Sequence, residues 1–246
     1  MNLLFHLGRY YMLMRRVFRR PEKFSIYGQQ LVREIYSIGV ESLGIVSIIS
    51  IFIGAVLTIQ SAYNFESPWI PLYAVGLATR EGIIMEFSPT IISLILAGKV
   101  GSSIASEIGT MRVSEQIDAI EIMGVNSACY LILPKIIASV FINPFLAVFS
   151  MFLGILGGFA FGVLTGNVTP YEYIYGIQYD FKSYNVVYSL TKTVVFAFII
   201  SSVSSYHGYY AKGGSLEVGR SSTNAVVYSS IVILIFNFIL TELMLF

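Results

Sequence analysis

The sequence has few charged residues and only one cysteine. Of its 246 residues, 12% are charged, whereas soluble domains are about one quarter charged. The lone Cys129 excludes a disulfide within the chain and any paired-cysteine redox or metal motif. The two histidines, His6 and His207, are far apart, and neither has a histidine or cysteine at metal-ligand spacing. The sequence therefore argues against a soluble domain and predicts no metal site.

Nucleotide-binding and catalytic motifs are also missing. The pair Gly98-Lys99 is not a phosphate-binding loop, because Ser93 stands where the motif needs its first glycine and Val100 stands where it needs Ser or Thr. There is no GxSxG nucleophile elbow and no HExxH zinc motif. A net charge of +1 gives no basic surface for nucleic acid. We expect no enzyme activity, no cofactor bound by this chain and no nucleic-acid partner.

Long apolar runs are what the sequence does contain. It is 56% hydrophobic, with a mean hydropathy of +0.75, which is typical of an all-α integral membrane protein. We predict one membrane domain, 1–246, with about five transmembrane helices. Their predicted ranges are 42–59, 82–106, 129–164, 186–206 and 225–246. The run 129–164 is read as one long helix, bent at Pro134 and Pro144. Segments 61–80 and 207–224 are predicted to be loops.

The N-terminal region, 1–38, is basic and amphipathic. Its seven basic residues are Arg9, Arg15, Arg16, Arg19, Arg20, Lys23 and Arg33. Apolar residues recur at helical spacing on either side of Pro21: Leu3, Leu7, Tyr10, Met14 and Val17, then Phe24, Tyr27, Leu31, Ile35 and Ile38. Such helices lie in the membrane interface and attract anionic lipid; the alternative is a cytoplasmic helical extension. By the positive-inside rule, this region is cytoplasmic, and five spans in 39–246 place the C-terminus outside.

A short polar helix is predicted within the stretch 98–125. Apolar residues at helical spacing form one of its faces: Val113, Ile117, Ile120 and Met123. Acidic residues form the other: Glu115, Asp118 and Glu121. Ser114 is the predicted N-cap, with Glu115 in the first turn, and Gly124 is the predicted stop. This helix is too short to cross a bilayer. It either docks in a groove on a partner or is a solvated loop helix.

The segment EIGTMRVSEQIDAIEIMGVN resembles the signature of the MlaE (YrbE) permease family. The resemblance extends to Glu86-Phe87-Ser88-Pro89 and 96–102 upstream, and to 192–197 and 207–209 downstream. One departure is Ser127, where members of the family usually have proline. Such permeases are membrane subunits of ABC transporters that act on lipids together with MCE-domain proteins. The resemblance implies a transport subunit in the bacterial inner membrane that moves phospholipid or a related lipid between envelope membranes.

The resemblance also implies partners and a coupling site. The expected assembly contains a second copy of the chain, ATPase subunits that bind ATP and Mg, and MCE proteins outside, with lipid in a cavity between the two copies. The segment after span two would be the cytoplasmic coupling helix, which touches the ATPase. The expected coupling residues are Glu107, Gly109, Thr110, Met111, Arg112, Glu115, Gln116, Asp118, Glu121 and Gly124.

Small residues recur at every fourth position in two of the predicted spans. One stripe contains Ala97, Gly101 and Ala105 and continues to Gly109. The other is the double GxxxG of Gly154, Gly158 and Gly162. Small residues at this spacing let two helices approach closely. We therefore predict that both stripes are helix-packing faces.

Charged residues are few within the predicted spans, where each costs about 2.5 to 3.5 kcal/mol on insertion scales. Glu86 and Lys192 lie at similar depth near the outer side, and both fall in segments that resemble the pocket-lining positions of the family. We predict that they line a lipid cavity; the alternatives are a structural ion pair or a snorkelling Lys192. Lys99 lies near the cytoplasmic face and is expected to be structural.

Two other functions remain open from the residues alone. A secondary transporter or channel would use Glu86 as an ion or proton site. A membrane-embedded lipid enzyme would use His207 as a base, although the sequence contains no nucleophile constellation for it. An ATPase that purifies with the chain would favour the ABC transporter over both.

Overall fold

The computed structural model describes residues 3–19, 24–65 and 69–245, and these residues form helices without any β-strand. The α-helices are α1 (Leu3–Val17), α2 (Phe24–Ile35), α3 (Glu41–Asn64), α4 (Tyr73–Gly82), α5 (Ile92–Leu96), α6 (Ser102–Val113), α7 (Gln116–Ile122), α8 (Ser127–Leu164), α9 (Pro170–Gln178), α10 (Ser183–Tyr209) and α11 (Ser215–Leu245). Three π-helical segments join neighbouring helices without a break: Tyr36–Val40, Ile83–Ile91 and Ala97–Gly101.

Five continuous helical stretches in the described residues are long and apolar enough to cross a membrane. They are Tyr27–Asn64, Tyr73–Val113, Ser127–Leu164, Ser183–Tyr209 and Ser215–Leu245. The predicted all-α membrane protein with five spans is therefore confirmed. The prediction of one helix over 129–164 is also confirmed, because α8 continues through Pro134 and Pro144.

Two predicted loops are largely helical, so these predictions were wrong. Within 61–80, α3 extends to Asn64 and α4 begins at Tyr73; Pro68 lies outside the described residues. Within 207–224, α10 extends to Tyr209 and α11 begins at Ser215. Tertiary packing explains the difference, since these polar helix ends have partners. Ser222 Oγ, for example, donates to the carbonyl of Ser102 on α6.

Helix α9, which the sequence analysis missed, packs against α4. Its N-terminus has a capping box: Thr169 Oγ1 accepts from the Glu172 amide, and the Glu172 carboxylate accepts from the Thr169 amide. The sequence Thr-Pro-x-Glu is a recognisable signal for the start of a helix. The two helices approach closely at Gly76, where a Cβ would lie 2.6 Å from the Tyr173 carbonyl oxygen. Buried Arg80 donates to the carbonyls of Ile177 and Tyr179, at 2.8 Å each, and holds the far end of α9.

Glycines allow the close packing of α3 on α8. A Cβ on Gly54 would overlap the carbonyl of Gly154, so these backbones touch without side chains between them. Gly158 and Gly162 face Thr58 of α3. The other small-residue stripe lies against α10 and α11. There Ala97 and Ala105 are fully buried, a Cβ on Gly101 would lie 2.8 Å from Ser204 Oγ, and Gly109 faces Val218.

The N-terminal region is helical on both sides of Pro21, which lies with Arg20 and Lys23 outside the described residues. Helix α1 buries Leu13, Met14 and Val17. Leu7, predicted on this face, is exposed, because the buried face is centred closer to Leu13. Helix α2 buries Tyr27 and runs through Tyr36–Val40 into α3, so it extends the first span.

Candidate functional site

Glu86 and Lys192 form an ion pair between the second and fourth spans. Lys192 Nζ donates to Glu86 Oε1 at 2.7 Å. The lysine side chain is completely buried, whereas 43% of the glutamate side chain is exposed. The ammonium group also lies 4.4 Å from the ring centroid of Tyr188, one turn away on α10. The two charges therefore meet, but only the carboxylate reaches the surface of the chain.

The second oxygen of Glu86 is bound by the fifth span. Asn237 Nδ2 of α11 donates to Glu86 Oε2 at 3.2 Å, and the Thr90 hydroxyl lies 3.3 Å from the same oxygen. Tyr188 extends the network, since its hydroxyl lies 3.4 Å from Glu86 Oε1 and 2.9 Å from Thr241 Oγ1. The network joins three spans and satisfies both carboxylate oxygens. A buried charge needs such partners in a low-dielectric interior.

The backbone around Glu86 is π-helical over Ile83–Ile91, a segment that contains Pro89. Proline has no N–H and crowds the carbonyl four residues earlier, here that of Met85. Lys192 Nζ lies 3.5 Å from the Met85 carbonyl oxygen and supplies a donor there. π-Helical turns occur often at functional sites. Lys192 therefore neutralises the Glu86 carboxylate and also donates to the Met85 carbonyl of the same irregular turn.

The observed positions of Glu86 and Lys192 differ from the predicted cavity in two ways. First, the helix containing Glu86 begins at Tyr73 rather than Gly82, so Glu86 lies farther from the helix end than expected. Second, Lys192 contacts Glu86 and Tyr188 inside the bundle and presents no surface of its own. Sequence reasoning missed Tyr188, Asn237 and Thr241. Asn237 had a visible signal, because it is an amide within an otherwise apolar run.

The predicted coupling segment contains a short helix, α7, but its start differs from the prediction. Ser114 is not the N-cap; its hydroxyl donates back to the Thr110 carbonyl at 2.8 Å and so closes α6. Glu115 occupies the N-cap position, with a left-handed φ of 60° and no side-chain cap, rather than the first turn. Gly124 follows the helix with a φ of +81°, as expected for a glycine stop.

Both acids on α7, two of the three predicted for this helix, bind groups of the same chain. Asp118 accepts from Arg112 at 2.6 Å. Glu121 accepts from the hydroxyls of Ser127 and Tyr209, at 2.8 and 2.9 Å. The bond from Ser127 is the main cause of a lowered pKa for Glu121, and the bond from Tyr209 adds to it.

Two large apolar residues at the end of this segment are exposed to the outside. Ile122 is 87% exposed and Met123 is 71% exposed, next to exposed Glu115 and Gln116. Ile117 on the opposite side is fully buried. The segment therefore presents apolar side chains and a few polar ones, while Asp118 and Glu121 hold it in place.

The remaining predicted coupling residues lie at the end of α6. Thr110 is exposed, Met111 is half-buried, and Gly109 lies in the packing contact described above. Glu107 accepts from Lys135 of α8 at 2.6 Å, and Lys135, which is almost fully buried, also donates to Glu34 of α2 at 2.6 Å.

Lys99 lies on the same side of the bundle. It donates to the Glu41 carbonyl and lies 3.2 Å from Ser42 Oγ at the start of α3. Glu41, Lys99 and the triad of Glu34, Lys135 and Glu107 line one charged cavity.

Comparison with known proteins gives one consistent family. The family model described as "Permease MlaE" matches residues 31–243. A probable ABC transporter permease protein of Rickettsia bellii is 38% identical, covering 92% of this chain and 86% of the relative. The TRIGALACTOSYLDIACYLGLYCEROL 1 protein of Arabidopsis thaliana is 31% identical, covering 89% of this chain and 63% of the relative.

A third relative has a name that states a lipid function. The intermembrane phospholipid transport system permease protein MlaE of Haemophilus influenzae is 30% identical, over 87% of this chain and 82% of its own length. The matched residues include the Glu86–Lys192 pair and the coupling segment. With five apolar spans and a family match over most of its length, the chain belongs to the MlaE permease family.

Proposed function

We propose that this chain is the membrane subunit of an ABC transporter that moves phospholipid or a related lipid between membranes of the cell envelope. The observation that carries the proposal is the Glu86–Lys192 network, in which a buried lysine holds a partly exposed carboxylate within the spans of a permease-family protein. Two copies form the membrane core, and the exposed side of Glu86 faces the cavity between them.

In this proposal the pair acts as a headgroup site that is closed when empty. Lys192 is a compact positive charge suited to a phosphate, and Glu86 holds it while no lipid is present. A phosphodiester that enters the cavity competes for the ammonium group, and Glu86 keeps the bond from Asn237. The lysine is therefore never left unpaired in the low-dielectric interior.

In this proposal the energy for lipid transport comes from a partner subunit. ATP and Mg bind to a cytoplasmic ATPase subunit, and α7 docks sideways on it through Ile122 and Met123, which are free on this chain. Asp118 and Glu121 orient α7, with Arg112 and Ser127 as their partners. An MCE-domain protein receives or delivers lipid on the opposite, periplasmic side. The chain then lies in the inner membrane with its basic N-terminus in the cytoplasm.

Reconstitution tests the proposal directly. The chain is coexpressed with its ATPase and MCE subunits, and lipid transfer between vesicles is measured with and without ATP. We expect transfer only with ATP, and loss of transfer in Lys192→Ala. Ion flux through the isolated chain, with no ATPase bound, would instead support the secondary transporter.

A crosslinking experiment locates the lipid. A photoreactive residue replaces Phe238, which is exposed beside Asn237, and the control probe replaces Phe152, an exposed residue of α8. In the purified complex we expect lipid on the first probe and much less on the second. Equal labelling of both would mean that the lipid is annular and that the pair is only structural.

A further inference from the structure

The side chain of Asn126 caps two helices at once. Its Oδ1 accepts from the amide of Cys129 at 3.4 Å and is the N-cap of α8. Its Nδ2 donates to the carbonyls of Arg16 and Arg19, at 2.9 and 3.2 Å, where α1 ends. The last carbonyls of a helix have no partner within it, so donors from elsewhere satisfy them. Asn126 thus joins α1 to α8 directly after the coupling helix.

A second contact joins α1 to the coupling helix itself. Arg16 lies 3.9 Å from Glu121, and both side chains are largely exposed, so this ion pair is weak. The two amide bonds from Asn126 are the more specific link. Because Asn126 follows the Gly124 turn at the end of α7, a displacement of α7 acts on α1 through this residue.

The rest of α1 is bonded to α10, the helix that carries Lys192. Tyr10 donates to the buried Ser202 at 2.8 Å, and His6 Nδ1 lies 2.7 Å from the Tyr206 hydroxyl. The guanidinium group of Arg9 lies 3.7 Å from the ring centroid of Tyr210, just beyond the helix. Helix α1 therefore spans from the coupling segment to α10 and is bonded at both ends.

Taking the ABC-permease function proposed above as given, we infer that α1 is a strut and that Asn126 is the positioning residue that attaches it. Two routes then lead from α7 to the ion pair. Helix α6 leads to Glu86 through the π-helical segments Ala97–Gly101 and Ile83–Ile91. The strut leads to Lys192 through α10, which is α-helical throughout. Movement of α7 therefore reaches Glu86 and Lys192 by different paths and displaces one side chain relative to the other.

Serine and alanine at position 126 separate the two capping roles. Asn126→Ser keeps an oxygen acceptor for the α8 N-cap but has no amide donors for α1, whereas Asn126→Ala loses both. In the reconstituted complex, the measurement is lipid transferred per ATP hydrolysed. We expect both variants to lower this ratio by at least about fivefold, because about fivefold corresponds to one neutral hydrogen bond and each variant removes both bonds to α1; ATPase binding should be unchanged. A wild-type ratio in Asn126→Ser would overturn the inference.

The other end of the strut gives an independent test. Tyr10→Phe removes the bond to Ser202, and Tyr11→Phe is the matched control, because Tyr11 is 69% exposed on the same helix. Weakening either end weakens the strut, so Tyr10→Phe should lower the ratio as Asn126→Ser does, and the double variant should lose less than the product of the two single losses. Multiplied losses, or no loss in Tyr10→Phe, would refute the strut.

Folding and assembly are checked separately from coupling. If Asn126→Ser lowers protein yield, Tyr10→Phe and Tyr206→Phe, which removes the His6 contact, decide the question alone. Failure of the wild-type chain to bind an ATPase would refute the proposed function. A normal complex with a normal ratio in all these variants would refute only the strut.

Discussion

The Lys192 ammonium group and the Glu86 carboxylate are 2.7 Å apart, but they differ completely in their access to the surface. Removing the carboxylate leaves a positive charge enclosed by protein. Removing the lysine leaves a carboxylate that has an exposed side and a bond from Asn237. The two charges are equal and opposite, but removing the Glu86 carboxylate should cost more stability than removing the Lys192 ammonium group.

This asymmetry predicts different stabilities for two single variants. Glu86→Gln should destabilise the fold by about 3 to 5 kcal/mol, as expected for a buried charge left without its partner. Lys192→Met should cost less, and the double variant should be more stable than Glu86→Gln. Thermal unfolding in detergent measures all three. Equal losses of stability in the two single variants would show that the exposure of Glu86 does not lower the cost of leaving it without Lys192.

The exposed apolar residues of α7 predict a binding defect without a folding defect. Ile122→Glu should abolish ATPase binding and leave the unfolding temperature unchanged, because the side chain is 87% exposed. Ile117→Ala should instead destabilise the protein by about 2 to 5 kcal/mol, since Ile117 is fully buried. Leu216→Glu, on the exposed start of α11, is the control. Retained ATPase binding in Ile122→Glu would place the docking surface elsewhere.

The bonds to Glu121 predict a pH dependence. Hydrogen bonds from Ser127 and Tyr209 favour the charged carboxylate and lower its pKa below the ordinary value of 4.5. A group with a lowered pKa contributes stability above its unfolded value, and this is lost as pH falls through the folded value. The wild type should therefore exceed Glu121→Gln in unfolding temperature at neutral pH, with the difference shrinking below pH 4.5. A difference that stays constant down to acidic pH would contradict this, and Glu217→Gln is the exposed control.

Five spans and a basic N-terminus predict the position of the C-terminus. A reporter enzyme that is active only outside the cytoplasm should be active when fused to the C-terminus. The same reporter inserted after Gly124, next to α7, should be inactive. Activity at the second site and none at the first would reverse the proposed orientation.

The spans were predictable because a membrane protein must make each crossing from a long apolar helix, and the apolar runs mark the crossings. The helix ends were less predictable. Segments 73–82 and 215–224 are polar enough to suggest loops, yet they are helical because other helices cover them. Propensity and hydropathy are local properties, whereas the contacts of Gly76 with α9 and of Ser222 with α6 are tertiary.

In the candidate site, too, the charged residues could be predicted from the sequence, but their partners could not. Glu86 and Lys192 stood out because charge is rare in the spans, but no local feature indicated that the amide of Asn237 would bind Glu86. The acids of α7 stood out as one face, yet Asp118 and Glu121 bind Arg112 and Ser127 of their own chain. Residue type and spacing identify which side chains carry charge. Pairing depends on the packing of helices that are distant in sequence.

Helix α8 is longer than the membrane is thick. Its 38 residues extend about 57 Å at about 1.5 Å per residue, against a hydrocarbon layer of about 30 Å. Even when tilted, it emerges into water or headgroups. Lys135, in the third turn from its start, is bonded there to Glu34 of α2 and Glu107 of α6. The coupling segment therefore leads into a single helix that is long enough to cross the whole bilayer, so a displacement at the start of α8 acts on one continuous helix across the membrane.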